Sequence, residues 1–129
     1  IPNNTCQVDY CPINPDGDLA YKSTLPIDAI RARLLDQGIP ARTSSSAGNF
    51  LCNAAMFFAL EAVRDFGLNI PCGFIHVPYL PLQVADILKD LEESQALELH
   101  QRGDLASMDL DVTVEAIRIA IATTMETAA

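Results

Sequence analysis

Ser44-Ser45-Ser46-Ala47-Gly48-Asn49-Phe50-Leu51-Cys52-Asn53 is a loop of small residues running into an apolar segment, and the rest of the chain is arranged around it. From Phe50 to Phe66 there is neither Pro nor Gly, and Gly67 follows, which predicts a helix from about Leu51 to Arg64 with Cys52 in its first turn. Unpaired backbone N–H groups and the positive end of the helix dipole favour an anion there, so the position suits a thiolate. The same N–H groups suit an oxyanion forming beside the sulfur. The helix is apolar nearly all round, which predicts burial, with Met56, Phe57 and Phe58 in the core.

Outward from this helix, Cys72-Gly73-Phe74-Ile75-His76-Val77-Pro78 reads as a short buried strand stopped by Pro78. It leaves His76 at the strand's end, where sites gather in α/β sheets. Upstream, Ile39-Pro40-Ala41-Arg42-Thr43 reads as a strand leading to the Cys52 loop. Before it, Ile27, Ile30, Leu34 and Leu35 form the stripe of a helix begun at Pro26 and ended by Gly38. The first 21 residues read as a loop or hairpin turning at Pro15-Asp16-Gly17-Asp18, with strand-like alternation only from Cys6 to Tyr10.

Downstream, Leu82, Ala85 and Leu88, with Ile87 or Leu91, predict an amphipathic helix with an acidic end at Asp90, Glu92 and Glu93, extending towards His100. Asp109 or Asp111 caps a last helix whose stripe is Val114, Ile117, Ile121 and Met125. Strands and helices that alternate without a repeat predict one domain over residues 1–129 of the α/β class. The expected architecture is a three-layer α/β/α sandwich with a mostly parallel sheet.

Composition narrows the function classes. A chain of 129 residues, half of them apolar, is long enough to bury one core. A net charge of −9 with no run of Lys or Arg argues against nucleic acid and anionic membranes as partners. No stretch approaches the roughly 20 apolar residues that span a bilayer. The four cysteines, Cys6, Cys11, Cys52 and Cys72, include no Cys-x-x-Cys pair, and the gap from Cys6 to Cys11 is too wide for a zinc knuckle. Free thiols in a reducing cytoplasm, with no structural zinc site, are the expectation. On residues alone, a Cys52–His76 dyad stands beside a plainer alternative, a small buried hydrophobe and a structural histidine.

Two strings add a resemblance. Ser46-Ala47-Gly48-Asn49-Phe50-Leu51-Cys52-Asn53 and Gly73-Phe74-Ile75-His76-Val77-Pro78-Tyr79-Leu80-Pro81 resemble, in that order, the cysteine and histidine motifs of the pyroglutamyl peptidases, also called pyrrolidone-carboxylate peptidases. Ile1-Pro2-Asn3-Asn4, Ser23-Thr24-Leu25-Pro26-Ile27 and Ser107-Met108-Asp109-Leu110-Asp111 resemble that family more weakly, so nearly the whole chain is covered.

The resemblance implies a cysteine exopeptidase that removes N-terminal pyroglutamate from peptides without a cofactor. Cys52 would be the nucleophile and His76 the base, Phe50 would pack on the flat lactam ring, and the Ile1 backbone would contact it. In the family the domain begins further upstream, with a glycine- and phenylalanine-rich loop and a glutamate that orients the histidine. Neither has a match here, so the chain resembles a C-terminal portion with the N-terminal part of the domain absent. Asn4 and Asn49 stand where the family commonly has an acid and a threonine. The segment before Ser107 is longer than is usual there and reads as an insertion suited to a subunit contact. A homo-oligomer, or a chain joined by an N-terminal companion segment, is expected. The rival expectation is a truncated, non-catalytic relative that binds a protein through an exposed sheet edge or its acidic helix.

Overall fold

The apolar periods form four helices in a computed structural model that describes residues 11–94 and 105–128: α1 (Ile27–Asp36), α2 (Leu51–Asp65), α3 (Pro81–Ser94) and α4 (Leu110–Ala128). Ile1, the alternating stretch at residues 6–10 and the expected run of α3 towards His100 lie outside the described residues.

α1 and α2 stop in the same way. Gly38 and Gly67 take φ of +72° and +60°, a left-handed conformation that costs glycine little, and turn the chain out of each helix. The Gly38 amide then donates to the Leu35 carbonyl at 2.9 Å and the Ile39 amide to the Leu34 carbonyl at 2.9 Å. After α2 the Gly67 amide donates to Arg64 at 3.0 Å and the Leu68 amide to Val63 at 2.9 Å. Carbonyls that a helix end would strand are thereby satisfied.

α1 packs on α4, and among the described helices this is the only pair in contact. Ile30, Leu34, Ile39 and Ala120 are its buried centre, with Leu25, Ala41, Met108, Ala116 and Ile119 around them. The packed face of α4 is therefore not the expected stripe. Ile121 and Met125 are 55% and 69% exposed, whereas Ala120 and Thr123 are buried. Small side chains let the α1 surface approach closely, and Thr123 can be buried because its hydroxyl donates to the Ile119 carbonyl at 2.7 Å.

α2 buries Phe57, Leu60 and Glu61, and its Leu51 and Phe58 are exposed, so it is covered on one side only. Part of the cover is the loop before α1. The Tyr21 ring meets Phe57 edge-on at 4.9 Å, the Arg64 guanidinium lies 5.1 Å over that ring, and Asn14 Nδ2 donates to Glu61 Oε1 at 2.7 Å. Arg64 also pairs with Asp18 at 2.5 Å and with Asp65 at 2.8 Å.

The expected strands are not seen as such among the described residues. Residues 39–43 and 72–77 do not form ladders among the described residues; the one pairing there is a parallel bridge between Tyr79 and Ser107, with the Met108 amide donating to the Tyr79 carbonyl at 2.9 Å. An apolar run adopts a strand only when a neighbour accepts and donates along its edge; Thr24 meets Cys72 at the start of the second segment, but no ladder continues along either segment among the described residues.

Candidate active site

The Cys52 loop is shaped by its own hydroxyls. Ser44 Oγ donates to the Ser46 carbonyl at 2.8 Å, and Ser46 Oγ accepts from the Gly48 amide at 3.3 Å. Gly48 has φ of +85°, and Ala47 beside it is buried and anchors the loop. Phe50, half-buried, sits at the N-cap of α2 in an extended conformation. Its carbonyl accepts from the Asn53 amide at 3.0 Å and the Ala54 amide at 3.4 Å. Phenylalanine carries no capping oxygen, so among the described residues the amides of Leu51 and Cys52 have no side-chain acceptor. The first turn holds no acidic residue. Cys52, second in the helix, is half-buried and has a free thiol.

His76 lies on the extended segment between Cys72 and Tyr79. It is exposed, with its ring 4.9 Å from that of Phe74 at 60°. Alternation along an extended chain puts residues 74 and 76 on one side, which is why the two rings meet. No hydrogen bond joins Cys52 to His76 among the described residues, so the structure displays the two groups on neighbouring parts of the sequence without closing a dyad.

The ends of the His76 segment are anchored by residues that the sequence reading did not assign. Thr24 brackets Cys72: its amide donates to the Cys72 carbonyl at 2.8 Å, and its Oγ1 accepts from the Cys72 amide at 2.7 Å. Ser23 Oγ also donates to the Cys72 carbonyl at 3.3 Å. At the far end, Gln83 Oε1 accepts from the Leu80 amide at 2.8 Å, half of a capping box at the start of α3.

A cleft of about 440 Å³ lies elsewhere, between Tyr21, Lys22, Leu60, Val63, Arg64 and Leu68. It is at the opposite end of α2 from Cys52. Among the described residues no three His, Cys, Asp or Glu side chains gather as metal ligands, and no helix is long and apolar enough to cross a membrane.

The model of the pyroglutamyl peptidase family matches residues 1–127. The chain belongs to that family. A pyrrolidone-carboxylate peptidase of Thermoanaerobacter sp. (strain X514) is 48% identical over 85 residues, which are 65% of this chain and 42% of that protein. The pyrrolidone-carboxylate peptidase of Pyrococcus furiosus is 37% identical over 128 residues, 98% of this chain and 56% of the relative. A crystal structure of the P. furiosus pyrrolidone carboxyl peptidase superposes with a TM-score of 0.81 at 35% identity, covering 100% of this chain and 57% of that one. The chain thus spans about half the length of these relatives. It follows the path of an α/β protein, although its extended segments are largely unpaired among the described residues.

Proposed function

We propose that this chain carries the cysteine and histidine of a peptidase that removes N-terminal pyroglutamate from peptides. The observation that supports this best is the place of Cys52, in the uncapped first turn of α2, in a chain that belongs to the pyroglutamyl peptidase family. In this reading the Cys52 thiolate attacks the carbonyl carbon joining the lactam to the next residue, and His76 has taken up the thiol proton. The amides at the start of α2 hold the resulting oxyanion. As the C–N bond breaks, His76 gives its proton to the departing amine and leaves a thioester on Cys52. Water, deprotonated by His76, then releases pyroglutamic acid and restores the thiol.

Phe50 would pack on the uncharged lactam ring, with the Ile1 backbone as a second contact. No metal or cofactor takes part in this chemistry. The upstream part of the domain carried by longer relatives would supply the histidine-orienting glutamate and one wall of the pocket. The same part would pair with residues 39–43 and 72–77 and complete a parallel sheet between two helical layers. Free Cys52 and Cys72 thiols suit the reducing cytoplasm, which is the compartment we propose. Association with further copies or with an N-terminal companion would cover exposed apolar side chains.

Hydrolysis of a fluorogenic pyroglutamyl amide by the chain, with Cys52→Ser as control and circular dichroism on both, tests this reading. Turnover that disappears in the control is the expected result. A second reading, a non-catalytic module that binds another protein, is favoured by one observation: His76 is exposed with no hydrogen bond to Cys52 among the described residues. It predicts a folded chain without turnover, whose Cys52 is alkylated no faster than an ordinary surface thiol.

A further inference from the structure

We propose that Thr24 is a positioning residue for His76, acting through the backbone of Cys72. The inference rests on the reading above, in which His76 is the base, and it deepens that reading. Thr24 holds both polar backbone atoms of Cys72, donating from its amide at 2.8 Å and accepting at Oγ1 at 2.7 Å. Gly73 follows with the loop lying flush against it: a Cβ there would stand 2.1 Å from Ser23 Oγ and 2.8 Å from Leu25 Cδ1. Leu25 in turn packs on the α1–α4 core, so the clamp ties the start of the His76 segment to that buried cluster. The other anchor is Tyr79, bridged to Ser107.

Residues 73–78 run between these anchors without ladder bonds among the described residues. A strand inside a sheet is held residue by residue, whereas this one takes its position from its two ends. Loss of the Thr24 hydroxyl leaves the Cys72 amide without its acceptor and loosens this end, four residues from His76, which then keeps only the bonds of the Thr24 amide and Ser23 Oγ to the Cys72 carbonyl. Misplacing a reacting group by about 1 Å can cost about a hundredfold in rate.

The test uses the full chain with Thr24→Val, which keeps the shape and removes the hydroxyl, and Thr24→Ser, which restores it. The Phe74 ring, tilted at 60° with its centroid 4.9 Å from that of His76, makes the imidazole carbon-bound proton signals sensitive to where His76 sits. Thr24→Val is expected to shift those signals and Thr24→Ser to return them to the wild-type values. Arg33→Ala, which loosens α1 from α4 at a distance, is expected to leave them in place. With the pyroglutamyl amide, Thr24→Val should lower kcat about tenfold to a hundredfold while KM changes less than about threefold, and Thr24→Ser should recover most of it. Unchanged His76 signals and kcat in folded Thr24→Val overturn the proposal. If Thr24→Val does not fold, hydrogen exchange in the wild type decides: a protected Cys72 amide supports the clamp, and exchange at the free-chain rate overturns it. A wild-type chain without turnover would sink the catalytic reading alone, because the imidazole signals still report whether Thr24 places His76.

Discussion

Gly73 has no room for a side chain, and the cause is the Ser23–Leu25 loop rather than backbone conformation. Gly73→Ala would push a methyl group into Ser23 Oγ and Leu25 Cδ1, and the serine would have to abandon the Cys72 carbonyl. Overpacking of this kind typically costs about 1–3 kcal/mol, which urea denaturation would read as a lower midpoint at unchanged slope. Adding Ser23→Ala should return part of the loss, since one of the two obstacles is then gone; no recovery would mean that Leu25 sets the limit. The place of Cys52 was legible from sequence, because an apolar run free of Pro and Gly and ended by Gly67 has only one helical reading. The part played by Thr24 was not, because its partner is 48 residues away and only the folded path brings the two together. Exposure of His76 escaped for a related reason: an apolar string announces its preference for burial, but whether it is buried depends on what lies beside it.

At the scale of elements, the α1–α4 pair shows how hydrophobic strength and fit can disagree. Val114, Ile117, Ile121 and Met125 form the stronger apolar stripe on α4, yet the packed face runs through Ala116, Ile119, Ala120 and Thr123. The weaker stripe wins because small side chains allow the helices to close, and an internal hydrogen bond removes the penalty for burying Thr123. Arg33 extends the contact to solvent, pairing with Glu126 and donating to Thr123 Oγ1 at 3.4 Å. The Arg33 hydrogen bond, and after it the Arg33 charge, hold the Glu126 carboxyl below its ordinary value. A carboxyl depressed in the folded state stabilises above its unfolded pKa and loses that contribution as pH falls through the folded one. Glu126→Gln should therefore lower Tm slightly at neutral pH, and the difference from wild type should close as pH falls below the ordinary carboxylate range. Both side chains are about half exposed, so solvent screening keeps the shift to a few degrees at most. A gap in Tm that does not narrow as pH falls through and below the ordinary carboxylate range would show that Glu126 acts by packing rather than charge.

At the scale of the molecule, the same choice of faces leaves a consequence on the outside. With α4 turned so that its small residues meet α1, Val114, Ile121 and Met125 are exposed along the outer side of the helix, and Ile121 is 55% exposed. Single exposed apolar side chains are ordinary, whereas three on one helix face are where the association proposed above can be tested. A homo-oligomer built on this face should dissociate on dilution, and the chain should sediment as more than a monomer at high concentration. Ile121→Glu adds a charge at the centre of the stripe without touching the α1 contact, so it should give a monomer of unchanged helix content. Association that survives Ile121→Glu would move the interface to another part of the molecule, most plainly the unpaired segment that carries Phe74, Ile75 and Val77. A wild-type chain that stays monomeric would instead favour an N-terminal companion as the cover, because adding the upstream half of the P. furiosus relative should then produce a complex that dilution does not readily separate.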